Sequence, residues 1–132
     1  MHSIENYEEW VDKYDSIYIH APIKSYNESG IWWDDNEPYT APEGIPGEKG
    51  WYNPDIVKEN LPNKYDLILV DGPNGLFGRG GFYKHLDLFN TNVPIVIDDV
   101  NREAERVILE KVSEKINKDY KILDDNVTGV IL

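Results

Sequence analysis

Two short apolar runs, each stopped by acidic residues, constrain this chain more than any other feature. Asp66-Leu67-Ile68-Leu69-Val70 ends at Asp71-Gly72-Pro73, and Val93-Pro94-Ile95-Val96-Ile97 ends at Asp98-Asp99. Runs this short cannot make a helix and show no polar alternation, so they predict buried strands of a parallel sheet covered by helices. Pro94 is compatible with a strand start. From Asn101, read as an N-cap, Ala104, Val107, Ile108, Val112 and Ile116 recur at helical spacing, with Glu103, Glu105, Glu110, Lys111 and Lys115 opposite. This spacing predicts an amphipathic helix of about four turns. Tyr120–Leu123 and Val127–Leu132 predict two strands joined by the polar turn Asp124-Asp125-Asn126, a hairpin that ends the sheet with one antiparallel strand.

The first half is less regular. Ser16–His20 predicts a further strand, rich in β-branched and aromatic residues and ended by Ala21-Pro22. Ahead of it, Tyr7 to Tyr14 predicts a short helix with Trp10, Val11 and Tyr14 turned inward. Residues 27–54 carry four glycines and four of the eight prolines without periodicity, which predicts a long loop. That loop holds Trp32, Trp33 and Trp51, and connections of such length inside a compact domain are commonly functional.

With 132 residues, 40% hydrophobic and 29% charged, the chain is expected to form one globular domain, residues 1–132. The balance of 13 basic against 25 acidic residues gives a formal charge of −12, which repels phosphate backbones and anionic lipid and argues against nucleic acid or membrane as partner. Without cysteine there is no disulfide, thiolate metal site or thiol nucleophile. No run approaches the roughly 20 apolar residues of a membrane span, and MHSIENYEEW has no basic segment followed by an apolar one. These features lead us to expect a cytoplasmic chain.

The strand ends are polar: Ile4 is followed by Glu5, Ile19 by His20, Val70 by Asp71, and Ile97 by Asp98 and Asp99. Open α/β sheets bind ligands beyond the carboxyl ends of their parallel strands. An acidic rim there suits sugar hydroxyls, a cation or a metal.

At these same residues a family resemblance emerges. YDLILVDGPNGLFGRGGF, VPIVIDDVNR and the opening SIENYEEW resemble the class I S-adenosylmethionine-dependent methyltransferases, in particular those with a catechol O-methyltransferase type of core. The resemblance implies an α/β, Rossmann-like and mostly parallel sheet with a C-terminal antiparallel hairpin. It also implies roles: Glu5 accepts hydrogen bonds from the cofactor ribose, His20 and Ala21 line the adenine side, and Asp71 stands at the reacting end. Asp71, Asp98 and Asp99 match the groups that hold a divalent ion such as Mg²⁺ in metal-dependent members. The family's first strand and its Gly-rich turn have no counterpart before His2, and Gly78-Arg79-Gly80-Gly81, which follows a different strand, does not replace them. The chain thus resembles an N-terminally truncated methyltransferase. The unfilled central position implies that the sheet re-pairs or gains a strand from another chain, with a homo-oligomer through exposed strand edges as one form.

The resemblance implies methyl transfer to an oxygen of a small-molecule acceptor, with Asp71 and His20 as candidate catalytic residues, His20 serving as general base. Each residue also has a plainer reading. Asp71 can begin a turn, Asp98 or Asp99 can cap a helix, Glu5 can be a solvated acid, and His20 a hydrogen-bonded structural residue. Arg79 and Arg102 can bind a substrate carboxylate or phosphate, but in so acidic a chain pairing with neighbouring acids is the stronger expectation. Trp32, Trp33, Tyr39, Trp51 and Tyr52 form either an aromatic platform or a lid packed on its own domain. The alternative functions are a non-catalytic methyltransferase remnant or interaction module, or a glycan-binding surface built on the loop.

Overall fold

The computed structural model describes residues 1–25, 50–73 and 77–132. The chain runs β1 (His2–Glu5), a 3₁₀ turn (Glu8–Trp10), β2 (Ile17–His20), β3 (Ile23–Ser25), β4 (Gly50–Tyr52), α1 (Pro54–Asn60), β5 (Ile68–Val70), α2 (Gly80–Lys84), a 3₁₀ turn (Leu86–Leu88), β6 (Ile95–Ile97), α3 (Glu103–Ile116), β7 (Tyr120–Ile122) and β8 (Gly129–Ile131). The class is α/β. Among the described residues the strands form three sheets: β1 pairs with β2 in parallel, β3 with β4 antiparallel, and a four-stranded sheet has the order β5-β6-β8-β7. In that sheet β5 and β6 are parallel and β8 is antiparallel to both of its neighbours. The hairpin therefore inserts its second strand next to β6 and leaves β7 at the edge.

The main core is made by Ile68, Val70, Ile95, Ile97 and Ile131 from the sheet, packed against Phe82 of α2 and Ile108, Leu109 and Val112 of α3. Gly129 is needed there, because a β-carbon on it would lie 2.6 Å from Leu109 Cδ2. Among the described residues, strand β5 is covered on this face alone. Leu69, on the other face, is 62% exposed, so the apolar run that predicted a strand buried on both sides is buried on one. A second core joins Ile19, Ala21, Trp51 and Val57, and Phe89 packs against both cores.

Local chemistry accounts for the element ends. The Asn53 side chain accepts a hydrogen bond from Asp55 N–H at 3.1 Å and Pro54 opens α1, an N-cap with proline at the first turn. Helix α3 stops where Asn117 turns left-handed at φ 53°, with Lys118 N–H donating to Ser113 O and Asn117 N–H to Glu114 O. Its N-cap position is Arg102, without a side-chain cap, so Asn101 does not play the expected role. In the β7–β8 turn Asp125 Oδ1 accepts from the Val127 and Thr128 N–H groups, both at 2.9 Å.

Two expectations for the first half need correction. Tyr7 to Tyr14 forms only a single 3₁₀ turn, with Trp10 and Tyr14 exposed, because no described element covers that segment. Residues 50–54, assigned above to the loop, form β4 and the start of α1. Antiparallel pairing with β3 supplies hydrogen bonds that no sequence periodicity could announce.

Candidate functional site

The parallel registers bring the strand-end residues together in pairs. Glu5 of β1 stands beside His20 of β2, and Val70 beside Ile97, so Asp71 and Asp98 follow the ends of neighbouring strands. Tyr52 ends β4, and its hydroxyl lies against Gly72, next to Asp71. Its phenol is largely buried, and both Glu5 and Asp71 act electrostatically on it. Burial first, then the two carboxylates, push its ionisation far above the usual phenol range, with Arg79 opposing them. The hydroxyl thus stays protonated and is available as a donor.

Glu5 is oriented by its own backbone turn. Its Oε1 accepts the N–H groups of Asn6 at 2.8 Å and Tyr7 at 3.1 Å, while Oε2 receives no hydrogen bond from a described residue. A half-buried carboxylate held through one oxygen is suited to accept from a vicinal diol with the other. His20 is exposed at the same edge. Ala21 is fully buried in the second core, where its N–H donates to Glu5 O at 2.8 Å, so it steadies the strand end rather than lining open surface.

Asp71, Asp98 and Asp99 each offer an oxygen within 4.8 Å of the others. Arg79, immediately ahead of α2, sits among them with a side chain only 4% exposed. Its Nη2 donates to Asp99 Oδ2 at 2.8 Å and to Asp71 Oδ1 at 3.2 Å, and its Nη1 donates to the Asp98 carbonyl oxygen. Arg102 adds a second guanidinium on Asp99 Oδ2 at 3.0 Å. Desolvation at the strand end raises the Asp71 carboxyl above its usual range; Arg79 opposes this and Asp98 and Asp99 reinforce it. Arg79 Nη2 thus engages one oxygen of Asp71 and one of Asp99, and its enclosed positive charge opposes a second cation among these acids, so the residues present do not favour a metal.

Trp51 is 2% exposed and cannot serve as a binding platform. Its indole stacks on His85 at 5.1 Å and 19° and meets Phe89 edge-on at 6.1 Å. Trp32, Trp33 and Tyr39 lie outside the described residues. Sequence reasoning singled out the acids and expected Arg79 and Arg102 to pair with neighbouring acids, as they do, but it did not place Tyr52 beside the strand ends. Tyr52 meets Gly72, where a β-carbon would lie 2.5 Å from its hydroxyl, a contact that no local sequence pattern announces. No protein-family model matches the chain, and no solved structure matches it.

Proposed function

We propose that the rim from Glu5 to Asp98 binds the nucleoside end of S-adenosylmethionine, and that the chain takes part in methyl transfer to an oxygen of a small acceptor without a metal. One observation carries this reading: the hydroxyl of Tyr52 lies against Gly72, beside Asp71, and both Asp71 and Glu5, which ends a strand of a separate sheet, act electrostatically on that largely buried phenol. A strand placed between β1 and β5 would join them into the sheet that the resemblance implies. S-adenosylmethionine supplies an electrophilic methyl group on a sulfonium, whose positive charge suits an acidic rim. Glu5 accepts from the ribose hydroxyls, His20 stands on the adenine side, and Asp71 with the Tyr52 hydroxyl orients what lies between them. Such residues contribute mainly by orientation.

Isothermal titration of the full chain with S-adenosylhomocysteine tests the proposal. Micromolar binding that weakens about 10–100-fold in Glu5→Gln, the scale of a hydrogen bond to a charged group, is the expected result. No heat at millimolar ligand overturns it. A second reading, a non-catalytic binding module, is favoured by the lack, among the described residues, of a strand and Gly-rich turn for the methionine end. It is the reading that stands if the titration is silent.

A further inference from the structure

We infer that Arg79 is the resident cation of this rim: its guanidinium takes the place of a divalent ion among Asp71, Asp98 and Asp99, and its removal converts them into a metal site. The inference concerns ion binding alone and stands whether or not the nucleoside site is correct.

Oxygen ligands of one Ca²⁺ lie about 2.3–2.6 Å from it, so any two are within roughly 5 Å of one another. The three carboxylates meet that condition, with ligand oxygens within 4.8 Å. Against two of the three stands a nitrogen. Arg79 Nη2 is within hydrogen-bond distance of Asp99 Oδ2 at 2.8 Å and Asp71 Oδ1 at 3.2 Å, so it takes lone pairs that an ion would need. Nη1 is tied to the main chain at Asp98, which fixes the fork in place.

Charge and burial point the same way. Three carboxylates face two guanidiniums, Arg79 and Arg102, leaving one formal negative charge. An incoming divalent ion would have to expel Arg79, whose side chain is almost wholly enclosed and would be left charged without acceptors. The chemistry of the side chain also matters: a guanidinium serves a carbonyl through one nitrogen and two carboxylates through another, whereas an ammonium is a single point charge. Arg79 thereby holds together the ends of β5 and β6, Asp99 in its left-handed conformation at φ 62°, and the start of α2.

The test is calorimetric titration with CaCl₂ and with MgCl₂ on the wild-type chain, on Arg79→Met and on Arg79→Lys, with melting followed in parallel. The wild-type protein is expected to show no saturable binding up to about 10 mM, well above the 10⁻⁴–10⁻³ M range of weak calcium sites. Arg79→Met is expected to melt lower in the absence of metal and to bind one Ca²⁺ with a Kd of about 10⁻⁴–10⁻³ M, regaining part of its melting temperature. Arg79→Lys, which keeps a charge in place, is expected to stay closed to the ion. Saturable one-to-one binding by the wild-type chain that is lost in Asp71→Asn overturns the inference. So does a folded Arg79→Met that ignores Ca²⁺. Should Arg79→Met fail to fold, the wild-type and Asp71→Asn titrations decide the matter without it.

Discussion

The hydroxyl of Tyr52 stands 2.5 Å from where a β-carbon on Gly72 would be, so the end of β4 and the turn after β5 touch at a point where any β-carbon would push the phenol aside. Through this contact the β3–β4 pair, on which Tyr52 lies, is held against the sheet that carries Asp71. The proposed rim depends on it.

Gly72→Ala should therefore displace the Tyr52 ring and destabilise the fold by about 1–3 kcal/mol, the range for overfilling a packed site. Tyr52→Phe in the same chain removes the opposing oxygen and should restore part of the loss. Urea denaturation of the two single variants and the double variant measures the coupling, which vanishes if the contact is not made.

Gly81 makes a closer approach to Trp51. Its β-carbon would lie 2.2 Å from Cγ of an indole that is stacked on His85 and enclosed by Phe89, leaving the ring no path of retreat. Gly81→Ala should cost at least as much as Gly72→Ala, about 3 kcal/mol or more, despite the helical propensity that alanine adds. The midpoint of denaturation reports it, and the tryptophan fluorescence of the folded state should shift because Trp51 must move.

The pH dependence of stability should carry the mark of His85. Burial first, and Lys84 next, hold its imidazole below the usual range, while Asp87 and Asp55 act weakly in the other direction and Lys115 with Lys84. The unfolded chain then takes up a proton at higher pH than the folded chain. Stability from this group is full above about pH 6.5 and is lost as the pH falls through the interval below it. Denaturation midpoints at pH 7.5, 6.5 and 5.5 should decline less steeply in His85→Phe than in the wild-type chain. Equal slopes would assign the decline to other groups.

Leu69 is 62% exposed on β5, and among the described residues that strand pairs on one side only, with β6. An apolar, half-paired edge of this kind promotes association between copies. Leu69→Lys should leave stability within about 0.5 kcal/mol, as for other exposed positions, while lowering the light scattering of concentrated solutions several-fold. Unchanged scattering would place any association elsewhere.

How much of this was legible beforehand follows from the range of the interactions involved. The short apolar runs around Ile68–Val70 and Ile95–Ile97, the periodic α3 stripe and the closing hairpin depend on neighbours within a few residues, and the sequence determined those elements nearly to their ends. It also determined that acidic groups end the strands and that arginines would answer them. Only the tertiary structure decided that Leu69 faces solvent, that β8 enters beside β6, and that residues 50–52 pair with 23–25. The same holds for Arg79 standing inside the acid cluster and Tyr52 reaching Gly72. Those outcomes rest on which surfaces meet across long stretches of chain, and a side chain's burial is settled by what packs over it rather than by the residues beside it in sequence.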